Sequence, residues 1–142
     1  MTDNQWISFS VEGEVYAHAI KTIKEIIPYS HPAPVPGAPE HIEGILNVRG
    51  TIVSILSARL LFNLNPQQDL NDAKIIILEK DHAVVGISVD SVGEIINFAP
   101  NEAEWTNTTS EESLIKGTLQ QEGQLYILAD FMGLKSDEEK YA

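Results

Sequence analysis

The chain has 142 residues, a net charge of −12 and no cysteine. This length suits one domain, and the lack of cysteine excludes disulfides, thiolate metal sites and a cysteine nucleophile. The acidic excess disfavours binding to nucleic acid and docking on an anionic membrane, because both need basic surface. The first residues, MTDNQW, predict no signal peptide, and no apolar run approaches the roughly 20 residues of a membrane span.

The N-terminal region predicts a β-hairpin followed by a short helix. Residues 6–11 and 15–20 are rich in strand formers, and the turn sequence Glu12-Gly13-Glu14 lies between them. Thr22, followed three residues later by Glu25, has the pattern of a capping box. A short helix is therefore predicted after Thr22, and the next proline ends it.

Residues 28–39 contain five prolines. Their fixed φ angles predict an extended connector. The alternative is a polyproline ligand for a partner. The prolines alternate with Ala and Val inside an otherwise folded pattern, which favours the connector. Pro39 fits the first position of a second short helix that runs through Glu43.

The most apolar stretch is residues 41–62, HIEGILNVRGTIVSILSARLLF. It predicts two strands, near 44–48 and 51–57, that reverse at Arg49-Gly50-Thr51, where glycine accepts a positive φ without steric cost. Both faces of the second strand are largely apolar, so burial on both sides is predicted. A helical turn follows over residues 58–64.

The second half of the chain again alternates short strands with turns. The predicted elements are strands over 74–78, 85–89, 93–98, 114–119 and 125–128, a mobile surface loop over 101–112, a short helix capped by Asp130, and a charged tail over 135–142. Short strands with turns about every 8–12 residues are typical of a barrel or sandwich. The alternating hairpins indicate two similar small barrels.

No arrangement of residues predicts a reaction centre. The four histidines lack the helical spacing of a zinc site, and neither a G-x-S-x-G elbow nor a phosphate-binding loop occurs. Asp90 and Asp130 each close an apolar run. Either could be a binding carboxylate, but a strand-end or helix-cap acceptor is favoured. The sequence therefore predicts an interaction module with no catalytic residues, metal or cofactor.

Several stretches of the sequence form a recognisable set. They are EVYA at 14–17, IKEI at 23–26, PEHIEGILNVRG at 39–50, VGISVDSV at 85–92 and the segment 117–130. Together they resemble the CheW family, the adaptors of bacterial chemotaxis. The run at 39–50 carries the strongest likeness, and the resemblance covers residues 5–134.

This resemblance implies a mainly β fold of two five-stranded SH3-like barrels packed side by side, with short helices. It implies a single CheW-like domain over 5–134 and a charged tail over 135–142. Family members are cytoplasmic and non-enzymatic. They couple the cytoplasmic tips of methyl-accepting chemoreceptors to the regulatory domain of a CheA-type histidine kinase, through apolar barrel surfaces and without inserting into the membrane.

Four residues match family positions tied to receptor or kinase coupling: Ile23, Glu25, Gly44 and Arg49. Each has a structural alternative. Ile23 could be a core residue, and Gly44 could permit a close backbone approach. Glu25 could cap its predicted helix. Arg49 could pair with Glu25 and so fix the barrel surface.

The segment after the central turn departs from the family pattern. The family usually has Pro-h-h-Asp-Leu-Arg, where h is apolar, and this chain has Ser54-Ile55-Leu56-Ser57-Ala58-Arg59. Ser57 can still cap the helix that follows. The missing aspartate puts in question any ion pair that the family makes here. The alternative function is therefore an adaptor of a divergent, non-flagellar pathway such as surface motility.

Overall fold

The computed structural model describes residues 4–66, 69–106 and 114–134, which form two β-sheets. The first sheet contains β1 (Gln5–Val11), β2 (Glu14–Ala19), β8 (Ser91–Asn97), β9 (Glu104–Trp105), β10 (Ile115–Gln121) and β11 (Gln124–Ala129). The second contains β3 (Ile23–Pro28), β4 (Ile42–Val48), β5 (Thr51–Ser57), β6 (Lys74–Lys80) and β7 (Ala83–Val89). The strand orders are β8-β1-β2-β11-β10-β9 and β3-β6-β7-β5-β4.

Both sheets are built around two antiparallel hairpins joined by one parallel pair. The parallel pairs are β2 with β11 in the first sheet and β5 with β7 in the second. Parallel strands begin at the same edge, so the hairpin turns that precede them lie at one end of each sheet. The prediction of a mainly β fold with two similar subdomains is confirmed.

The first sheet differs from expectation by one strand, because the two-residue β9 adds a sixth. β9 and the 3-10 turn at Pro100–Glu102 lie in the segment predicted as a mobile loop. Residues 107–112 of that segment and the predicted tail at 135–142 lie outside the described residues. The domain bounds of 5–134 stay a prediction.

The two short helices predicted near 23–27 and 39–43 are wrong. Strand β3 occupies the first position and pairs with β6, and only Ile20–Thr22 before it form a 3-10 turn. β-Branched isoleucines suit a pleated strand, so this pairing outweighs the capping pattern. At the second position, the Ile42 amide donates to the Pro39 carbonyl at 3.0 Å in a single turn that leads into β4.

The two later helical predictions are confirmed. A short helix, α1, spans Ala58–Leu61, and the Ser57 hydroxyl accepts from the Leu60 amide at 3.2 Å. A 3-10 helix spans Phe131–Leu134, and Asp130 Oδ1 accepts from the Met132 amide at 2.9 Å. Asp130 thus acts as a helix-cap acceptor, as the sequence indicates.

The main hydrophobic core lies between the two sheets, and a smaller cluster lies within each sheet. The main core draws buried side chains from both sheets, including Phe9, Tyr16, Leu56, Ile87 and Phe131. Removing this shared apolar surface from water favours the two sheets staying packed together.

Ser54 is a buried polar residue of β5. It is 1% exposed, and its hydroxyl makes no hydrogen bond to the described part of the protein. We expect Ser54→Ala to raise the free energy of unfolding by about 1 kcal/mol in urea denaturation, because an unpaired buried hydroxyl costs about 1–3 kcal/mol. As a control, Ser57→Ala should lower it by about 1 kcal/mol, because it removes the α1 cap. A loss of stability in Ser54→Ala would contradict the prediction.

Asp90 joins the two sheets, because it lies between β7 of the second sheet and β8 of the first. Arg59 Nε donates to Asp90 Oδ1 at 2.9 Å, and Arg59 Nη2 donates to Oδ2 at 2.6 Å. The Glu12 amide, from the first hairpin turn, donates to Oδ2 at 2.8 Å. Arg59 therefore has an acidic partner although the family's aspartate is replaced by Ser57.

Candidate functional site

Three of the four predicted site residues, Ile23, Glu25 and Arg49, lie at one end of the second sheet, where two tight turns lie side by side. The parallel pairing of β5 with β7 brings Arg49-Gly50 next to Asp81-His82. All four residues have positive φ angles, between 50° and 88°. Such two-residue turns match the twist of the strands that they join. We call these turns, together with the start of β3, the turn end of the second sheet.

An ion pair between Arg49 and Glu25 links two elements of the turn end. Arg49 Nη1 donates to Glu25 Oε1, and their side chains are 72% and 23% exposed. Glu25 lies within β3, so the prediction that it caps a helix is wrong. The alternative in which Arg49 pairs with Glu25 is the one observed. Most of the Arg49 side chain still faces solvent, so the ion pair leaves it accessible to a partner.

A shallow depression of about 90 Å³ lies beside this ion pair. Glu25 and Arg49 line it together with the buried side chains of Val53 and Ile77. Ile52, on the same strand as Val53, is 57% exposed, but its side chain points to the opposite face of β5 and does not line the depression. The turn end thus has charged groups around the depression and an exposed apolar side chain on the other face of β5, and both kinds of group occur at protein interfaces.

Ile52 was not predicted as a site residue. The apolar run around it indicates burial on both faces of β5, which is correct for Val53 to Ser57. Ile52 is opposite Asn47, and only Thr51 separates it from the Arg49-Gly50 turn at the end of the sheet. The sequence feature that could have indicated the exposure of Ile52 is its position close to a two-residue turn.

The other two predicted residues occupy different environments. Ile23 is half-buried, pairs with Leu78 and packs against the main core. Gly44 lies near the start of β4, away from the turn end, and an added Cβ would lie 2.2 Å from the Ala33 carbonyl oxygen. The structure therefore brings Glu25 and Arg49 into contact and places Ile23 on the same strand as Glu25. It does not bring Gly44 to them.

Within the described segments, no group of three potential metal-ligating side chains is found. The same segments contain no helix that is long and apolar enough to cross a membrane.

His18 is the most buried histidine of the described segments, and its role is structural. Burial lowers its pKa, and its Nε2 accepts a hydrogen bond from the Phe131 amide at 3.1 Å. The exposed Arg49 side chain and its partner Glu25 at the turn end are groups that can bind another protein.

Comparison with known proteins agrees with the fold and with the resemblance seen in the sequence. The protein-family model named CheW-like domain matches residues 5–139 of this chain. The chain belongs to the CheW-like family. The chemotaxis protein CheW of Bacillus subtilis is 30% identical over 103 residues, which make up 72% of this chain and 66% of that protein. The CheW of Klebsiella aerogenes is 29% identical over 140 residues, 95% of this chain and 83% of that one.

A solved structure supports the same assignment. The crystal structure of the scaffolding protein TtCheW from Thermoanaerobacter tengcongensis matches with a TM-score of 0.82 and 27% identity. The match covers 91% of this chain and 90% of that one. The CheW-like family is a family of chemotaxis scaffold and adaptor proteins and is generally non-enzymatic. The family assignment made from the sequence is confirmed.

Proposed function

We propose that this protein is a cytoplasmic, non-enzymatic adaptor that couples chemoreceptor tips to a CheA-type histidine kinase. We further propose that the turn end of the second sheet is a partner-binding surface. The observation that carries this proposal is the Arg49–Glu25 ion pair, which leaves most of the Arg49 side chain exposed beside the depression. The family membership supplies the class of partner.

The chemistry of the turn end suits an amphipathic partner. A guanidinium has five N–H donors in a fixed fork, and Arg49 reaches Glu25 through Nη1. The remaining donors can bind carboxylates on a helical receptor tip or on the kinase. Val48 and Val84, which are half-buried and line the depression, supply apolar contact area that loses water on binding.

The four predicted residues then have different parts in the proposed surface. Arg49 makes the contact, and Glu25 orients it. Ile23 anchors the start of β3 through its packing against the core. Gly44 acts indirectly, because it lets the proline segment lie against β4 and so shapes the second sheet.

Arg49→Ala should weaken binding to at least one of the two partners, a receptor signalling-tip fragment or the kinase regulatory domain. Loss of a central anchor costs about 2 kcal/mol, which corresponds to about 30-fold in Kd. Folding stability should change little, because an exposed ion pair contributes at most about 1 kcal/mol. Isothermal titration with each purified partner gives the affinities, and urea denaturation gives the stability.

Lys116→Ala is the matched control, because it removes one positive charge from the first sheet. It should leave both affinities within about twofold of the unchanged protein. Unchanged affinity of Arg49→Ala for both partners, with the fold intact, would remove Arg49 from the proposed surface. Equal losses in Arg49→Ala and Lys116→Ala would indicate a general charge effect.

A further inference from the structure

A polar cleft opens at the end of the second sheet opposite the turn end, where β3, β5 and β7 finish and β4 begins. Its volume is about 270 Å³. The titratable groups of its lining are Tyr29, His31, Glu43, Arg59 and Asp90, and Ser57 and Ser88 add hydroxyl groups. Leu60 and Leu70 add apolar wall. Nothing in the proposed adaptor function uses these groups together.

The carboxylate of Glu43 is held in place by two neutral donors. The Tyr29 hydroxyl donates to Glu43 Oε1 at 2.5 Å, and the Ser88 hydroxyl donates to Glu43 Oε2. Burial raises the pKa of Tyr29, and the Glu43 carboxylate raises it further, so Tyr29 stays a protonated donor. Ser88 is only 9% exposed, and its side chain forms part of the wall of the cleft.

Glu43 is a charged group of the cleft that forms no ion pair with the described residues. Arg59 is already engaged by Asp90 through two hydrogen bonds. Among the ion pairs of the described residues, none includes Glu43. With His31 counted as neutral, the lining has two carboxylates and one guanidinium, so it has one excess negative charge. A carboxylate has about four acceptor positions, and the two hydroxyls occupy two of them.

We propose that this cleft binds a small organic cation, an ammonium or guanidinium group, through the carboxylate of Glu43. Such a cation would supply the missing positive charge and donate to the free acceptor positions of Glu43. The ring of Tyr29 and the side chains of Leu60 and Leu70 would contact its carbon atoms. The volume lies slightly below the range of drug-sized ligands, so the group bound is small. It belongs to a free amine or to a lysine or arginine side chain of a partner.

The test is a titration of the ¹⁵N-labelled full chain with ethylammonium chloride, followed by NMR. We expect saturable shifts of the amide signals of Tyr29, Ser88 and Leu60. Ethanol, the neutral isostere, and sodium chloride at equal ionic strength should cause no saturable shift at these amides. This comparison needs no variant, so it stands even where a substitution impairs folding.

Glu43→Gln should weaken the binding of ethylammonium by about tenfold or more, because it keeps the shape and removes the charge. Glu40→Gln, at an exposed position outside the cleft, is the matched control and should change the Kd by no more than about twofold. The proposal is overturned by non-saturating shifts, by equal shifts with ethanol or sodium chloride, or by an unchanged Kd in Glu43→Gln.

A second titration separates the two sources of the cation. The probe is N-acetyl-lysine methylamide, which carries the same ammonium group on a capped residue. Tighter binding of this probe than of ethylammonium assigns the cleft to a partner's side chain. Tighter binding of ethylammonium assigns it to a free amine. Either result supports a cation site, and the absence of saturable binding for both probes overturns it.

Discussion

Replacing Arg59 by methionine should lower the free energy of unfolding by about 3 kcal/mol. The side chains of Arg59 and Asp90 are 18% and 14% exposed, so the aspartate would lose its cation in a poorly solvated position. Removing one member of a buried pair costs about 3–5 kcal/mol, and the remaining exposure here favours the lower end. Since Asp90 connects the sheets, we also expect faster amide exchange at Glu12 and Asp90. Urea denaturation and hydrogen exchange measure the two effects.

The control for this prediction is Arg49→Met, which breaks an ion pair whose arginine is 72% exposed. It should cost less than about 1 kcal/mol. The double variant Arg59→Met with Asp90→Asn should recover part of the loss, because no charge then remains without a partner. Equal destabilisation by Arg59→Met and Arg49→Met would show that the contact between the sheets contributes no more than a surface ion pair.

Gly44→Ala should also lower the free energy of unfolding by about 3 kcal/mol. The new Cβ would lie 2.2 Å from the Ala33 carbonyl oxygen, a backbone atom that cannot move without breaking its own hydrogen bonds. Ala33 and Ile45 exchange two hydrogen bonds of 2.9 Å each, and both would be disturbed. Overpacking costs about 1–3 kcal/mol, and the positive φ of Gly44 adds strain. Urea denaturation measures the loss.

Gly37→Ala in the same proline segment is the matched control. Gly37 also has a positive φ, but an added Cβ would meet no atom within 4 Å. It should cost about 1 kcal/mol from backbone conformation alone. If Gly44→Ala keeps its stability and loses partner binding, then Gly44 belongs to the binding surface, and the structural explanation is wrong.

The sequence predicted those elements whose signals are local. The Arg49-Gly50 turn, the flanking strands and the caps at Ser57 and Asp130 are confirmed, because each depends on residues a few positions apart. The predicted helix near 23–27 is wrong because its capping pattern competes with a strand partner, β6, that is distant in the chain. Local propensity is a weak guide where such pairing is available.

In the candidate site, too, the features with local sequence signals were predicted and those that depend on distant pairing were not. A positively charged residue beside a glycine turn is visible in the sequence, and so is the possibility that Arg49 pairs with Glu25. The exposure of Ile52 and the position of the Asp81-His82 turn beside Arg49-Gly50 are not visible, because both depend on how β5 lies in the sheet. Likewise, the unpaired charge of Glu43 becomes apparent only when Arg59 is seen to bind Asp90.

The sequence by itself determined the family, the mainly β class and the positions of the turns, since these depend on composition, alternation and nearby residues. The tertiary structure decided which residues work together. Three contacts between separate elements show this: Arg59 binds Asp90, Gly44 packs against Ala33, and Glu43 accepts from Tyr29 and Ser88. Their geometry is set by strand order and by the packing of two sheets around a shared core, which no local pattern encodes.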